Sequence, residues 1–206
     1  MVDFTVEPSK TALVVVDMQN CFVEGYPISA PEGPAVLERL NRIADICRAN
    51  GIQVIHTAHV VRPDGSNIGV MGEIIPPVKG GVINEGAESA ALHKGLSVKP
   101  GDIVLNKPRF GAFHGTDLEL ILRSKGIDTA IIGGIATNVC CETTAREANV
   151  RDFRVFFLKD GTATFGMGNL SAAEIQEAVC TTLAFAFAQV LTVDEMIEKV
   201  SAAVPA

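Results

Sequence analysis

Short apolar runs that alternate with amphipathic segments constrain the fold of this chain more than any other feature. Thr11 to Val16 is a continuous run rich in β-branched residues, which predicts a fully buried strand. Five further strands are predicted at Ile52 to His56, Asp102 to Leu105, Thr129 to Ile132, Arg154 to Leu158 and Gln189 to Thr192. Six strands interleaved with helices predict a doubly wound, mostly parallel sheet in a single three-layer α/β/α domain over residues 1–206.

The segments between the strands carry helix signals. Apolar residues recur at helical spacing from Val36 to Cys47, and Gly51 closes that helix. Ser or Thr followed three residues later by Glu predicts capping boxes at Thr116, Ser171 and Thr192. A further helix is predicted from about Asn138 to Val150, and a Gly-rich loop from Asp160 to Gly168.

Residues 61–100 lack strong periodicity and are punctuated by Pro and Gly. An irregular segment of roughly 40 residues is unusual within a compact domain, and such segments are often functional. We therefore interpret residues 61–100 as an insert that serves as a lid or as a subunit interface.

Charge and cysteine content exclude several classes of protein. The formal charge is -7 and no basic block is present, which argues against a nucleic-acid partner. The apolar runs are far shorter than the roughly 20 residues that cross a bilayer, and the first ten residues do not resemble a signal peptide. Five cysteines without a CxxC spacing indicate a reduced protein, so we expect a cytoplasmic location and no membrane partner.

Three chemically distinctive residues follow strands of the predicted sheet. Asp17, Lys107 and the turn from Gly134 to Cys140 each come after an apolar run. Parallel strands end at one edge of a sheet, so these residues can converge there. A thiol with a pKa near 8.5 needs a base or a cation to become a nucleophile, and Asp17 and Lys107 supply both. If Asn138 caps its helix, Cys140 lies in the first turn, where backbone N–H groups favour a thiolate or an oxyanion.

Each of these residues also has an ordinary structural interpretation when taken alone. Asp17 could be a solvated acid at a strand end, and Lys107 a loop residue beside Pro108. Cys140 could be a small apolar residue in a helix. Only their joint occurrence at strand ends favours a catalytic role.

The sequence around these residues resembles the isochorismatase-like cysteine hydrolases, a family that includes N-carbamoylsarcosine amidase, ureidoacrylate amidohydrolase, biuret hydrolase, nicotinamidase and isochorismatase. The resemblance covers about Lys10 to Thr192. Its motifs are Val-Asp-Met-Gln at 16–19, Asn-Lys-Pro at 106–108, Gly-Gly-Ile-Ala-Thr-Asn-Val-Cys at 133–140 and Glu-Thr-Thr-Ala-Arg at 142–146.

The resemblance implies a catalytic triad of Asp17, Lys107 and Cys140. It also implies a cis peptide between Ile135 and Ala136, and an oxyanion hole made by the backbone amides of Ala136 and Cys140. The implied activity is hydrolysis of a C–N bond in a small amide, carbamoyl or ureido substrate through a thioester. No cofactor is implied, and relatives form dimers or tetramers, so we expect a homo-oligomer.

Neighbours of the triad in the sequence are candidates for the substrate pocket, although each Phe could equally belong to the core. Arg62 is a candidate anchor for a substrate carboxylate, unless another subunit lies there, and His114 is either a pocket donor or a surface residue. The predicted substrate-binding residues are Gln19, Phe22, Tyr26, Phe110, Phe113, Thr137 and Asn138.

Structural roles are predicted for three of the other four cysteines, and two alternatives remain for Cys21. Adjacent helical residues point about 100° apart, so Cys141 cannot face the pocket together with Cys140 and is interpreted as a packing residue. Cys21 is either at the pocket rim or a buried loop thiol, and Cys47 and Cys180 are assigned to the core.

A metal site is not predicted. The nicotinamidase pattern places an Asp two residues before a His at the end of the second strand, but here Thr57 precedes His59. This departure disfavours nicotinamidase activity, and the retained thiol disfavours isochorismatase activity, since vinyl-ether cleavage in the family does not need it. A non-catalytic scaffold and a thiol-redox protein are the remaining alternatives.

Overall fold

A computed structural model describes residues 2–203, which form one sheet of six strands. The strand order is β3-β2-β1-β4-β5-β6, and all five pairings are parallel. The strands are β1 Thr11–Val16, β2 Gln53–His59, β3 Ile103–Lys107, β4 Thr129–Ile135, β5 Arg154–Ala163 and β6 Gln189–Leu191. The predicted three-layer α/β/α fold is confirmed, with a sheet that is parallel throughout its described strands.

Helices cover both faces of this sheet. The α-helices are α1 Asn20–Val23, α2 Gly33–Ala49, α3 Met71–Ile74, α4 Pro76–Lys79, α5 Leu118–Ser124, α6 Glu142–Asn149, α7 Ala172–Ala186 and α8 Val193–Ala202. A π-helical turn, Thr137–Cys141, precedes α6, and short 3-10 helices span Pro8–Lys10 and Glu88–Ala90.

The alternation of side chains along β1 divides the core into two layers. Leu13 and Val15 pack with α2 and α8, whereas Ala12, Val14 and Val16 pack with residues of α5, α6 and α7. Every residue of β1 is buried. A strand covered on both faces must be apolar throughout, which explains the continuous run in the sequence.

Two of the three predicted capping boxes are confirmed. Ser171 and Thr192 each accept a hydrogen bond from the backbone of the Glu three residues later, and that Glu returns the contact. The prediction for Thr116 was wrong because α5 begins at Leu118. The Thr116 hydroxyl instead donates to the carbonyl of Ala112 at 2.6 Å. The Glu119 carboxylate accepts from Arg151, 32 residues away, and so does not cap its own helix.

The predicted Gly-rich loop from Asp160 was also placed too early. Strand β5 continues to Ala163, where Thr162 and Ala163 pair with Gly134 and Ile135 of β4. β4 continues past the predicted end at Ile132 to Ile135, and its last residues pair with the end of β5. The composition of residues 160–163 gives no sign of this pairing. The loop therefore begins after Ala163.

The insert packs one side onto the domain and leaves another side exposed. Met71 and Val78 are buried in a small cluster with Cys21, Val61 and Ile83. Val70 and Ile74 are 65% and 70% exposed. The exposed side chains of Val70 and Ile74 suit a contact with a second copy of the chain. The subunit interface stays a prediction.

Within residues 2–203, no helix has both the length and the apolar character needed to cross a bilayer.

The ends of β1 and β4 approach each other closely at Gly134. Its φ angle is +139°, and a Cβ atom there would overlap the carbonyl oxygen of Val16. Glycine is required because any side chain would separate the two strands whose ends carry Asp17 and Cys140.

Replacing Gly134 should therefore be costly. Gly134→Ala is expected to lower the free energy of unfolding by about 4 kcal/mol, from backbone strain and overpacking together. Urea denaturation measures this loss. The control is Gly126→Ala, where φ is +69° but no atom lies within 4 Å of the added Cβ, and about 1 kcal/mol is expected. Equal losses at the two positions would contradict the close-approach explanation.

Candidate active site

The candidate site lies where the strand order reverses, between β1 and β4. In open parallel sheets this point leaves a crevice at the carboxyl ends of the strands, where ligands bind. Asp17 follows β1, Lys107 ends β3, and the turn containing Cys140 follows β4. All three side chains are buried, with Asp17 and Lys107 0% exposed and Cys140 4% exposed.

Asp17 is held by the neighbouring strand β2. Its φ angle of +52° is uncommon for a residue other than glycine. The Asp17 backbone N–H donates to the Thr57 carbonyl at 3.1 Å, and the Thr57 hydroxyl donates to Asp17 Oδ1 at 2.7 Å. Thr57 therefore supports the carboxylate from the position where the nicotinamidase pattern has an Asp.

Lys107 forms a buried ion pair with Asp17. Its Nζ lies 2.7 Å from Asp17 Oδ2 and donates to the carbonyls of Arg109 at 2.9 Å and Phe110 at 2.8 Å. Two of the three N–H groups of the ammonium ion therefore have carbonyl acceptors, and the contact with Asp17 is an ion pair. Burial opposes the charge, but the attraction of Asp17 and Cys140 outweighs it and raises the pKa of Lys107. Lys107 is therefore a fixed cation.

Cys140 lies in the π-helical turn, next to the Asp17 carboxylate. Its sulfur is within 4.8 Å of a carboxylate oxygen of Asp17. Burial, the largest effect, and the charge of Asp17 raise the pKa of the Cys140 thiol well above its ordinary value, although Lys107 opposes the shift. At rest, the Cys140 thiol is therefore neutral.

The turn before Cys140 contains the cis peptide that the resemblance implied, between Ile135 and Ala136. The Ala136 carbonyl accepts from the backbone N–H groups of Val139 at 3.2 Å and Cys141 at 3.1 Å. Ala136 caps the turn, so the conditional prediction that Asn138 is the cap was wrong. Cys140 nevertheless lies in the first turn, as that prediction required.

A cavity of about 90 Å³ adjoins Cys140 and is almost entirely apolar. Phe22 and Phe110, which were predicted from the sequence, contribute to its wall. Sequence reasoning missed the contributions of α4, of the loop after β5 and of His59. The complete lining is Phe22, Ile28, His59, Ile75, Val78, Phe110, Ala136, Val139, Cys140 and Phe165.

Gln19 and Phe113 lie outside this lining. Both polar ends of the Gln19 side chain are occupied, because it accepts from the His59 N–H at 2.7 Å and donates to the carbonyls of His59 and Ala90. Phe113 is buried against Phe153, with ring centroids 5.7 Å apart. Gln19 joins loops around the site, and Phe113 is part of the core.

Other predicted pocket residues are also engaged elsewhere. Thr137 donates to Gln176 on α7 at 3.0 Å. Asn138 accepts from Thr164 at 2.6 Å and donates to the sulfur of Met167. Tyr26 is half-buried against the small cluster under the insert. None of these three side chains lines the cavity.

Two further candidates, Arg62 and His114, are exposed and do not line the cavity. The Arg62 guanidinium is directed at the Ser66 hydroxyl, 3.5 Å away.

The remaining cysteines differ in burial. Cys21, Cys47 and Cys141 are 0% exposed, and Cys180 is half-buried. Cys21 belongs to the cluster under the insert, which supports the buried-thiol interpretation over the rim interpretation. Burial raises its pKa to about 12, with a smaller contribution from Asp17.

His59 was weighed in the sequence analysis as a metal ligand, and that role was disfavoured. Its side chain is 2% exposed, and its Nε2 has no hydrogen-bond partner among residues 2–203. Burial, followed by the charge of Lys107, lowers the pKa of His59 to about 4, although Asp17 opposes the shift. The ring is therefore neutral at pH 7.

Asp17, His59 and Cys140 form the one metal-competent group found within residues 2–203, with candidate ligand atoms within 4.8 Å of one another. A divalent ion there would lie against the Lys107 ammonium, which already neutralises the Asp17 carboxylate. The Thr57 hydroxyl also occupies the other carboxylate oxygen. The donor set thus fits proton transfer better than metal binding.

Breaking the ion pair should destabilise the fold. Lys107→Met leaves a buried carboxylate without its cation, and we expect a loss of about 3–5 kcal/mol in the free energy of unfolding. The double variant Asp17→Asn/Lys107→Met, which removes both charges, should recover much of that loss. Urea denaturation of both single variants and the double variant measures the coupling. Additive losses would contradict direct pairing.

The low pKa of His59 predicts sensitivity to acid. The unfolded chain protonates this ring near pH 6.5 and the folded chain near pH 4, so stability present at neutral pH is lost as pH falls through this window. His59→Asn should reduce the loss between pH 6.5 and 4 by about 3 kcal/mol, measured by urea denaturation at each pH. Burial also lowers the pKa of His56, so His56 should account for part of the pH dependence of stability that remains in the variant. Identical slopes in both proteins would contradict the assignment.

Known proteins resemble this chain in sequence and in structure. The Isochorismatase domain matches residues 11–195. Ureidoacrylate amidohydrolase RutB of Methylorubrum extorquens is 36% identical over 177 residues, which cover 76% of this chain and 71% of that protein. Nicotinamidase 3 of Arabidopsis thaliana is 35% identical over 187 residues, covering 90% and 86%.

Among solved structures, the cysteine hydrolase of Pseudomonas syringae pv. phaseolicola superposes with a TM-score of 0.94, at 32% identity and over 98% of both chains. An isochorismatase family protein from Burkholderia thailandensis superposes with a TM-score of 0.83 at 31% identity. These similarities extend over the strands and turns that carry Asp17, Lys107 and Cys140. The chain belongs to the isochorismatase domain family.

Proposed function

We propose that this protein is a cysteine-dependent amidohydrolase that cleaves the C–N bond of a small amide, carbamoyl or ureido compound through a thioester. The observation that carries the proposal is the buried group of Asp17, Lys107 and Cys140 beside an apolar cavity. The relatives named ureidoacrylate amidohydrolase and nicotinamidase support hydrolysis of a non-peptide C–N bond.

The first step forms the thioester. Asp17 takes the proton of the Cys140 thiol as the sulfur attacks the substrate carbonyl carbon. Because the thiol is neutral at rest, proton transfer accompanies the attack. The backbone amides of Ala136 and Cys140 are proposed to stabilise the developing oxyanion. Protonated Asp17 then gives its proton to the nitrogen as the C–N bond breaks, which releases ammonia or an amine.

The second step returns the enzyme to its starting state. Asp17, again a carboxylate, takes a proton from water, and the hydroxide attacks the thioester carbonyl. The C–S bond breaks, the acid or carbamic acid leaves, and the proton on Asp17 returns to the sulfur of Cys140. Lys107 remains protonated throughout and holds Asp17, because it donates to two backbone carbonyls and forms an ion pair with the carboxylate.

The cavity limits the substrate to a small molecule. Its volume of about 90 Å³ and its apolar wall suit a compound with a compact apolar part next to the reacting carbonyl. Ile75, which precedes α4, and Val78 of α4 form part of that wall, so the insert closes the site on one side. This contact favours the lid interpretation for the inner side of the insert.

Nicotinamide is a second candidate substrate because one relative bears the name nicotinamidase at 35% identity. Thr57 departs from the metal-binding pattern of nicotinamidases, so this candidate requires metal-independent turnover. A panel of small amides, ureides, carbamoyl amino acids and nicotinamide, assayed by ammonia release, separates the two candidates. The non-catalytic scaffold alternative predicts no release from any of them.

The thiol provides the direct test. Cys140→Ala should reduce ammonia release by at least about a thousandfold, because no other group forms the thioester. Mass spectrometry of the wild-type protein mixed with substrate should detect an acyl adduct on the peptide containing Cys140.

The matched control removes the adjacent thiol. Cys141 is buried in the core behind the turn, so Cys141→Ala should retain turnover within about threefold at a modest cost in stability. Full activity of Cys140→Ala, or loss of activity only in Cys141→Ala, would overturn the proposed mechanism.

A further inference from the structure

The reaction described above leaves one polar group of the cavity without a role. His59 lines the cavity, and one of its ring nitrogens is within 4.8 Å of the Cys140 sulfur and of an Asp17 oxygen. Its Nε2 is buried and has no hydrogen-bond partner within the described residues. A buried nitrogen without a partner is costly to the folded state, so its retention calls for an explanation.

His59 is held in place by Gln19 at its backbone and by Phe110 at its ring. Gln19 bonds to both the backbone N–H and the carbonyl of His59, at 2.7 and 3.1 Å. The Phe110 ring meets the imidazole edge-to-face, with centroids 5.6 Å apart and planes at 81°. These contacts fix the backbone of His59 and restrict the position of its ring.

The surroundings of the ring determine its hydrogen-bonding character. Lys107 and Arg109 disfavour an imidazolium, and a neutral imidazole has one N–H donor and one acceptor nitrogen. The Pro108 carbonyl interacts with the ring and favours a proton on the nitrogen that faces it. Nε2 is the ring nitrogen without a hydrogen-bond partner within the described residues, so we assign the proton to Nδ1 and the acceptor role to Nε2. Lys107 is engaged elsewhere, because it donates to two carbonyls and forms an ion pair with Asp17.

The rest of the cavity offers a ligand few polar contacts. Phe22, Ile28, Val139 and Phe165 present hydrocarbon, and Asp17 is committed to Lys107 and Thr57. The proposed oxyanion hole takes the carbonyl oxygen of a substrate. An N–H group on the same carbonyl carbon then has His59 as its available acceptor.

We propose that His59 is a specificity-determining residue whose neutral ring accepts a hydrogen bond from the substrate's scissile –NH2 group. The site then selects unsubstituted carboxamides and ureas over carbonyl compounds of equal size that lack an N–H. Such compounds leave the buried acceptor unpaired, and a site built for a hydrogen bond rejects them on that ground. This inference rests on the proposed function and names its substrate class.

An isosteric pair of alkylating agents tests the contact without any turnover. Chloroacetamide and chloroacetone differ only by NH2 in place of CH3, and each transfers its CH2 carbon to the Cys140 sulfur, with loss of chloride and of the thiol proton. The measured quantity is the ratio of the amide rate to the ketone rate at Cys140, followed by peptide mass spectrometry. Division by the same ratio for glutathione removes the intrinsic reactivity of the reagents.

The normalised ratio should be about five- to tenfold in the wild-type protein, the size expected for one neutral hydrogen bond. His59→Phe keeps an aromatic ring against Phe110 but lacks the acceptor, and should lower the ratio to about one. His59→Asn supplies an amide oxygen as acceptor and should restore part of it. His59→Leu provides a second acceptor-free variant if His59→Phe does not fold, as judged by circular dichroism.

Half-buried Cys180, on α7, is an internal control in the same samples, because its ratio should not respond to any change at His59. An equal ratio in wild type and in the acceptor-free variants would overturn the role of His59, even if ammonia release is observed. A His59-dependent ratio without ammonia release from any amide would support the contact and refute the proposed hydrolysis. The two proposals therefore fail separately.

Discussion

The ion pair between Asp17 and Lys107 is the interaction on which the site depends. Both side chains are fully buried, and removing two charges from water is compensated only when every polar atom finds a partner. Lys107 donates to two backbone carbonyls and forms an ion pair with Asp17, whose other carboxylate oxygen accepts from the Thr57 hydroxyl. The pair thereby connects β1, β2, β3 and the loop after β3. The carboxylate thus lies beside a neutral thiol with its counter-ion fixed in place.

The same low-polarity environment explains the chemistry proposed for Cys140. In a cavity with almost no polar lining, charges attract more strongly than in water, and an unpaired polar group is more costly. Proton transfer between neighbouring groups is then favoured over free ionisation of the thiol. The few polar groups that remain in the cavity have large effects on which ligands are accepted. His59 is important for this reason, although the sequence analysis did not assign it to the pocket.

Much of the fold was predictable from local patterns. Runs such as Thr11–Val16 become central strands because burial on both faces requires apolar residues throughout, and the boxes at Ser171 and Thr192 cap helices within four residues of chain. The errors occurred where distant segments compete. Glu119 pairs with Arg151 rather than capping α5, and β5 extends to Ala163 because β4 offers it a partner. Neither contact has a signal in the neighbouring sequence.

The fold class, the sequence of strands along the chain and the meeting of Asp17, Lys107 and Cys140 at the strand ends could all be predicted from the sequence. These features follow from periodicities of a few residues and from the rule that parallel strands end at one edge. Which side chains face the cavity depends on tertiary packing. Phe110 lines it and Phe113 does not, while His59 lies beside Cys140 and His56 instead meets Asp102. The direction of a side chain in a loop or at a strand end depends on contacts with segments dozens of residues away, and local spacing contains no record of them.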